Sequence, residues 1–233
     1  MAVSKKGPTF EFEERFGADG LVCVGVDEVG RGCLAGPVVT AAVILPVSSD
    51  TDPRANEFPW LCELNDSKKL SPMRRLQLAE LIWIHAQVEV GWCSAQEIDE
   101  HNILCASMIA MRRAVLPFEA KAQVVLVDGN MNPFTSKFKA TAAAAKLFPK
   151  VELLIKGDGR SRSIAAASIV AKVFRDEWIT EIGEQFPQFG FVSHKGYSTP
   201  EHYAALKRFG PTVEHRYSFA PVKESAKAFQ ETV

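Results

Sequence analysis

The chain contains 233 residues, of which 47% are hydrophobic and 24% are charged, and its formal net charge at pH 7 is -1. This length suits one substantial domain with a small appendage, and the composition excludes an intrinsically disordered chain. The balanced charge excludes a uniformly basic nucleic-acid binder, although basic pairs such as Lys68-Lys69 leave room for local binding. The longest apolar run, at 34–45, is interrupted by glycine and proline and is too short to span a membrane.

The five cysteines are scattered along the chain, and they form neither a C-x-x-C pair nor a zinc-binding pattern. This usage predicts a reduced, intracellular protein. The segment Met1–Lys6 lacks a hydrophobic targeting core. We therefore expect a cytoplasmic protein with no membrane association.

Hydrophobic periodicity predicts a chain that alternates strands and helices after an N-terminal tail. Residues 1–20 lack sustained periodicity, so we expect a loosely held tail, with Phe10 and Phe12 as the candidates for docking on the domain. Short apolar or alternating segments predict five strands, at 21–26, 38–45, 88–92, 124–127 and 151–155. Serine caps and helical apolar spacing predict helices after Ser71, after Ser94 and after Ser161 or Ser163, and a further helix at 200–209.

This order of elements predicts an α/β fold with a mixed five-stranded sheet flanked by helices. Beyond residue 183 the composition changes to Phe-Pro and glycine turns before the helix at 200–209, which indicates a small C-terminal helical appendage. We expect three parts: an N-terminal tail at 1–20, a main domain at 21–183, and a helical subdomain at 184–233 that completes a substrate groove.

Carboxylates follow three of the predicted strands. Asp27 and Glu28 come after the first strand, Asp128 after the fourth and Asp158 after the fifth. Sites in open α/β sheets form where strands end in loops, so these acids can meet at one edge. Each acid also has a structural alternative, as a turn residue or, for Asp158, as a partner of the following helix N-terminus.

Four clustered carboxylates need cations, because two like charges about 4 Å apart repel by roughly 4 kcal/mol at an effective dielectric of about 20. Oxygen donors suit Mg²⁺ or Mn²⁺ better than zinc. The pattern predicts phosphodiester hydrolysis assisted by two ions. Neighbouring residues on a strand face opposite ways, so we expect Asp27 and Glu28 to share a site only if strand pairing ends at Glu28.

The glycines near the first strand resemble two nucleotide-binding motifs, and both motifs are excluded. Gly25 and Gly30 have the spacing of a P-loop, but Arg31-Gly32 replaces the required Lys-Ser/Thr pair. Residues 30–35 match the dinucleotide pattern G-x-G-x-x-G/A, but a predicted strand follows them where that motif requires a helix.

Six sequence blocks resemble the ribonuclease HII family over nearly the whole chain. In order, they are GVDEVGRG at 25–32 with LAGP at 34–37, DSKKL at 66–70, VDG at 127–129, KGD at 156–158, IAAASIVAK at 164–172 and KGY at 195–197. The resemblance implies an RNase H-like fold and a Mg²⁺- or Mn²⁺-dependent endoribonuclease. Its implied substrates are RNA–DNA hybrids and single ribonucleotides in duplex DNA, cut to leave 3′-hydroxyl and 5′-phosphate ends.

The resemblance also implies roles for particular acids. The family's metal-binding and catalytic carboxylates correspond to Asp27, Glu28, Asp128 and Asp158. Because these groups hold two ions that act on water and on the leaving oxygen, we expect no side chain to act as the nucleophile.

The same resemblance implies a recognition site for the RNA-to-DNA junction. The family's ribose-recognising loop corresponds to Gly30, Arg31 and Gly32, where glycine allows the backbone to approach a 2′-hydroxyl. Tyr197 corresponds to a sugar platform beside that junction, and half-buried packing is its structural alternative.

Further residues near these motifs give less specific predictions. Lys68 and Lys69 are candidates for contacts with backbone phosphates, and a solvated approach to a helix is the alternative. Lys172 is predicted to be a structural helix residue. Cys33 stands where the family more often has proline or another small residue, which predicts an exposed thiol near the site.

The alternatives to this assignment are of three kinds. Arg31 stands where ribonuclease HIII more often has lysine, and no substrate-binding N-terminal domain of that family is visible, so type HII is favoured. A metal-dependent DNA nuclease or resolvase on the same fold is a second alternative. A non-catalytic hybrid-binding protein is the third. We expect the protein to be a monomer.

Overall fold

The computed structural model describes residues 7–138, 148 and 150–230. Its centre is one sheet in the order β3-β2-β1-β4-β5, with β1 antiparallel to β2 and parallel to β4. The strands are β1 Cys23–Val29, β2 Val38–Ile44, β3 Gln87–Cys93, β4 Val124–Asp128 and β5 Lys150–Leu154. The predicted mixed five-stranded sheet is confirmed.

Seven α-helices in the described part of the chain surround this sheet. They are α1 Glu11–Gly17, α2 Pro72–His85, α3 Ala95–Val115, α4 Arg162–Gln185, α5 Phe191–His194, α6 Pro200–Phe209 and α7 Ala220–Gln230. The predicted caps are present: Ser71 caps α2, Ser94 and Glu97 form a capping box at α3, and Ser161 caps α4. None of the helices in the described residues has both the length and the apolar character to cross a membrane.

The sheet is buried on both faces by different helices. On β2, Ala41 and Val43 pack in one apolar cluster with residues of α2 and α4, whereas Ala42 and Ile44 pack in another with residues of α3. This alternation follows from the two-residue period of a strand. The central strands are therefore apolar throughout, as strands covered on both faces require.

The start of α4 lies directly against β1 because Gly25 has no side chain. A Cβ at position 25 would overlap the backbone of Ser163 and Ile164. This close approach brings the first turns of α4 next to the strand end that carries Asp27 and Glu28. Gly25 therefore serves helix–strand packing.

The N-terminal segment from residue 7 onward is more ordered than the expected loose tail, and Phe10 and Phe12 are docked as expected. Residues 11–17 form α1, and the side chains of Phe10, Phe12 and Phe16 are buried. Glu13 is also buried, and its Oε1 accepts hydrogen bonds from the Ser163 backbone N–H at 2.9 Å and from the hydroxyls of Ser161 and Ser163. These contacts tie the segment to the N-terminus of α4, and no short-range periodicity in the sequence reveals them.

The C-terminal helices share an apolar core with the rest of the molecule. Phe189, Phe191 and Leu206 pack with Leu34, in the loop after β1, and with Ile179 of α4. The predicted helical appendage is confirmed, and it lies beside the loop that contains the glycine-arginine-glycine motif. The division into parts at 1–20, 21–183 and 184–233 stays a prediction.

Candidate active site

One cavity of about 530 Å³ lies at the end of β1 where the sequence changes from strand to loop. It is bounded by the ends of β1 and β4, by the loop after β5 and by α4. The residues that line it are Asp27, Glu28, Val29, Gly30, Arg31, Gly32, Ser67, Lys68, Asp128, Asp158, Ser168, Lys172 and Tyr197. The structure thus brings all four predicted acids, the glycine-arginine-glycine loop and Tyr197 to one place.

The end of β1 explains how two consecutive acids reach this cavity. Parallel pairing with β4 ends at Val26, opposite Val127, but antiparallel pairing with β2 continues to Val29. The expectation that pairing ends at Glu28 is therefore wrong on the β2 side. The strand has only one neighbour beyond Val26, so its other edge is open and the cavity reaches both acids there.

Asp27 is the most enclosed of the four acids, with 7% of its surface exposed. Its Oδ1 accepts a hydrogen bond of 2.7 Å from the backbone N–H of Glu28. Burial, followed by the charges of Glu28 and Asp128, raises the pKa of Asp27 well above its ordinary value, against a lowering contact with the Ser168 hydroxyl. The site therefore opposes a bare negative charge at this position.

Glu28 has one paired and one unpaired carboxylate oxygen. Its Oε1 accepts a hydrogen bond of 3.0 Å from Arg31 Nη1, and its Oε2 is buried without a hydrogen-bond partner among the described residues. Burial raises the pKa of Glu28, although Arg31 opposes the shift. A buried oxygen without a donor is costly, and a cation would satisfy it.

Asp128 connects the ends of β4 and β5. Its Oδ1 accepts a hydrogen bond of 2.6 Å from the backbone N–H of Gly157, in the turn that carries Asp158. Burial raises the pKa of Asp128, while the Gly157 N–H and a hydrogen bond with the Asp27 carboxyl group oppose it. Burial also raises the pKa of Asp158, and the charge of Lys68 lowers the pKa of both acids.

The two glycines of the glycine-arginine-glycine loop lack a side chain for different structural reasons. Gly30 has φ of 91°, and a Cβ there would overlap the side chain of Arg175. At Gly32, no atom of the described residues lies within 4 Å of an added Cβ. Gly30 is therefore required by the fold itself, whereas Gly32 leaves open space at the cavity wall.

Two buried arginines donate hydrogen bonds to the backbone of this loop and of the residues that follow it. Arg175 donates hydrogen bonds to the carbonyl oxygens of Pro37 at 3.0 Å and Ala35 at 3.1 Å. Arg216 donates to the carbonyls of Gly36 and Arg31, the latter at 3.0 Å. Backbone carbonyls accept hydrogen bonds from both guanidinium groups, so these buried charges hold the loop and the residues that follow it in place.

Tyr197 lies at the cavity wall with 37% of its surface exposed. Burial, followed by the neighbouring Cys33 side chain, raises the pKa of Tyr197. The Lys172 Nζ lies 5.6 Å from the centre of its ring. Cys33 itself is fully buried, so the expectation of an exposed thiol is wrong: the thiol packs beneath Tyr197.

The two predicted phosphate-binding lysines occupy different positions. Lys68 lines the cavity. Lys69 is absent from the wall; its Nζ lies 3.7 Å from Asp66 Oδ2 and about 4.0 Å from the position of a Cβ on Gly159. Lys68 is therefore close to the acids, and Lys69 lies at the outer margin near the loop that carries Asp158.

Three polar residues of the cavity wall, Ser67, Ser168 and Lys172, lie outside the predicted site, and Lys172 is the one for which the sequence predicts a purely structural role. Ser67 and Ser168 meet across the cavity floor, with their hydroxyl oxygens 3.0 Å apart. Lys172 also lines the wall, and its Nζ donates to Asp176 Oδ1 at 2.7 Å. Ser168 and Lys172 lie four residues apart and therefore share one face of α4, a spacing that could have indicated these two residues but not Ser67.

The donor chemistry of the cavity fits divalent cations. Its acids supply only hard oxygen ligands, and Glu28 Oε2 is a buried acceptor without a donor. Within residues 7–138, 148 and 150–230, however, no three His, Cys, Asp or Glu side chains form a ready-made metal-binding cluster. The fit therefore rests on charge and donor type, and binding requires the carboxylates to turn toward the ion.

Comparisons with known proteins identify the family that the chain resembles. A family model described as Ribonuclease HII matches residues 24–222. A Ribonuclease HII from Parvibaculum lavamentivorans is 46% identical over 217 residues, which cover 93% of this chain and 73% of that protein.

Solved structures show the same fold. The RNase HII in the complex with PCNA from Archaeoglobus fulgidus matches with a TM-score of 0.63 and 29% identity, over 84% of this chain and 94% of that chain. Bst-RNase HIII in complex with Mn²⁺ matches with a TM-score of 0.66 and 18% identity, over 90% of this chain and 71% of that chain. The family match spans most of the sequence and includes every cavity residue, so the chain belongs to the ribonuclease HII family of ribonuclease H endonucleases.

Proposed function

We propose that this protein hydrolyses the RNA strand of RNA–DNA hybrids and also cuts at single ribonucleotides embedded in duplex DNA. The reaction uses two divalent cations, Mg²⁺ or Mn²⁺, and leaves 3′-hydroxyl and 5′-phosphate ends. One observation carries the proposal: a single cavity unites four acids with a loop whose backbone is open at Gly32. Hydrolytic chemistry and ribose recognition then occur side by side.

The acids that hold the cations are Asp27, Glu28, Asp128 and Asp158. Their mutual repulsion and burial oppose bare negative charge, so cation binding relieves a cost that the fold imposes. Bound divalent cations activate water and stabilise the leaving oxygen of a phosphodiester. The Mn²⁺ in the related Bst-RNase HIII supports a divalent ion here.

The glycine-arginine-glycine loop selects the ribose. At Gly32 the open space lets the sugar come close to the backbone, and a 2′-hydroxyl is the group that distinguishes RNA from DNA. Arg31 is held toward the acids by its hydrogen bond to Glu28. Tyr197 provides a flat surface at the same wall for the neighbouring deoxyribose.

Lysine side chains around the cavity contact the nucleic-acid backbone. Lys68 lies at the wall and Lys69 lies at the outer margin, where each can meet a phosphate. The partners we propose are hybrid duplexes and ribonucleotide-containing DNA, bound by a monomer in the cytoplasm.

The deciding experiment compares three labelled duplexes of one sequence: all-DNA, DNA with one ribonucleotide, and an RNA–DNA hybrid. Each is incubated with Mg²⁺, Mn²⁺ or EDTA, and the product ends are mapped. We expect cleavage of the last two duplexes, only with a divalent ion. Cleavage of all-DNA would indicate a DNA nuclease, and binding without cleavage would indicate a non-catalytic protein. Asp19→Asn, an exposed aspartate outside the cavity, is the matched control for Asp27→Asn.

A further inference from the structure

A pair of buried histidines lies behind Tyr197. His202 of α6 and His215 of the following loop are both nearly inaccessible to solvent, and their Nε2 atoms are 3.0 Å apart. Two imidazole nitrogens can form this hydrogen bond only if one carries a proton and the other does not. The hydrogen bond between the two rings therefore has one donor and one acceptor.

Two contacts at opposite ends fix that direction independently. The backbone N–H of Thr212 donates to His215 Nδ1 at 2.9 Å, so this nitrogen is unprotonated and the proton of His215 lies on Nε2. The carbonyl of Tyr197 lies 2.9 Å from His202 Nδ1 and can only accept, so the proton of His202 lies on Nδ1. Both ends require the same arrangement: His215 donates to His202, and His202 donates to Tyr197.

The surroundings keep both rings neutral. Phe191 lies 5.4 Å from the His202 ring and Phe189 lies 4.9 Å from the His215 ring. The titratable group that faces the pair is His194 of α5, whose ring stacks on His202 at 4.6 Å. Burial lowers the pKa of His202 to about 4 and that of His215 to about 3.

Within the part of the chain that the structure describes, no carboxylate is hydrogen-bonded to either ring of the pair. The nearest acids along the chain are Glu201, in the first turn of α6, and Glu214, beside His215. Among the described residues, neither of them hydrogen-bonds to either ring, and Glu214 has a raised pKa because it is itself partly buried. A proton added to His202 Nε2 or His215 Nδ1 would face an N–H group that already points at it.

The segment before Tyr197 needs such support because its backbone is unusual. Lys195 has φ of 51° and Gly196 has φ of 78°, both in the left-handed region. A Cβ on Gly196 would lie 2.8 Å from the carbonyl oxygen of Ala35. The Gly196 N–H donates to His194 Nδ1 at 3.2 Å, and its carbonyl accepts from Leu34 at 2.8 Å. Hydrogen bonds to His194 and His202 thus stabilise this turn.

We propose that His202 and His215 form a neutral hydrogen-bond relay that positions Tyr197 for recognition of the ribonucleotide junction. The relay rests on the proposed function of Tyr197. It runs from the Thr212 N–H through both rings to the Tyr197 carbonyl, while the Tyr197 ring faces the cavity. Neither histidine touches the substrate; both are positioning residues.

The kinetic test is a double-mutant cycle on the duplex with one ribonucleotide. The variants are His202→Phe, Tyr197→Ala and the pair together, with His85→Gln, an exposed histidine at the end of α2, as the control. We expect His202→Phe to raise KM about 3- to 10-fold, the range for one lost hydrogen bond, with a smaller effect on kcat. In the Tyr197→Ala background, the same substitution adds nothing.

The second test needs no variant. Long-range ¹H–¹⁵N NMR of the wild-type protein reports which nitrogen of each imidazole carries the proton. We expect a proton on Nδ1 of His202 and on Nε2 of His215, with both rings neutral at pH 6. The opposite tautomers, or a charged ring at that pH, would overturn the relay.

The outcomes separate this inference from the proposed function. If Tyr197→Ala raises KM but the His202→Phe effect is fully additive to it, the relay is overturned and the role of Tyr197 stands. If Tyr197→Ala leaves KM unchanged, the proposed role of Tyr197 is wrong, and with it the function of the relay.

Discussion

Replacing Asp27 by asparagine tests the central claim that the fold stores carboxylate repulsion for cation binding. Asparagine has nearly the same shape and keeps an oxygen that can accept the 2.7 Å hydrogen bond from the Glu28 N–H. It removes the negative charge. We therefore expect cleavage of the one-ribonucleotide duplex to fall about 1000-fold, which corresponds to about 4 kcal/mol of activation free energy.

The same substitution is expected to stabilise the metal-free protein. One repulsive pair at about 4 Å costs roughly 4 kcal/mol at a dielectric of about 20. Asp27 can also escape the repulsion by taking up a proton. For a carboxyl group of ordinary pKa 3.8 at pH 7, protonation costs about 4 kcal/mol, at 1.36 kcal/mol for each pH unit, so the repulsion cannot destabilise the native state by more than this amount. Since hydrogen bonds to Asp27 offset part of it, we expect a gain of about 1–3 kcal/mol in the free energy of unfolding.

Urea unfolding, followed by circular dichroism with EDTA and with excess Mg²⁺, measures both effects. With EDTA, Asp27→Asn is expected to be the more stable protein. With Mg²⁺ at 1,000 times its Kd the order reverses, because the bound ion stabilises the wild type by about 4.1 kcal/mol, which exceeds the variant's gain, and binds the variant poorly. Asp52→Asn is the contrasting control: Arg54 lowers the pKa of Asp52, so its loss gives no stabilisation. A less stable Asp27→Asn in EDTA, or near-wild-type turnover, would refute the reasoning.

Further predictions concern the loop and the buried histidines. Gly30→Ala is expected to lower the free energy of unfolding by more than about 1 kcal/mol, because its φ of 91° and the Arg175 side chain both oppose a Cβ; a urea titration measures this. Gly32→Ala is expected to change stability by less than about 0.5 kcal/mol and to raise KM for the one-ribonucleotide duplex, and an unchanged KM would contradict ribose recognition there. For His202, the native pKa of about 4 lies below its ordinary 6.5, so the unfolded state binds more protons between these values. Stability is therefore complete above about pH 6.5 and falls toward pH 4, and His202→Phe should flatten that part of a plot of thermal midpoint against pH.

Secondary structure could be predicted wherever a local sequence rule applied. Short apolar segments, and alternation in the third strand, predicted all five strands to within a few residues. The serine caps before α2, α3 and α4 marked helix starts, because capping depends on residues three apart. The carboxylates after strands one, four and five could be predicted to meet for a similar reason: strand ends in such a sheet share an edge. The six motifs identified the family.

Features that depend on residues far apart in the chain could be seen only in the folded molecule. The length of β1 beyond Val26 depends on β2, which continues to pair after β4 has stopped. The buried arginines beneath the glycine-arginine-glycine loop, Arg175 and Arg216, come from a helix and a C-terminal loop. An arginine that is fully buried looks the same in a sequence as one at the surface.

In the site, too, the sequence predicts residue types, whereas the fold sets their arrangement. Asp27, Glu28 and Tyr197 are visible as residue types in specific motifs, but the single cavity that unites them exists only after the chain folds. The proton direction between His202 and His215 is set by a backbone N–H at one end and a carbonyl at the other. Sequence encodes which groups are available, and packing over long separations decides their protonation, burial and partners, because electrostatic and hydrogen-bond energies depend on distance in space.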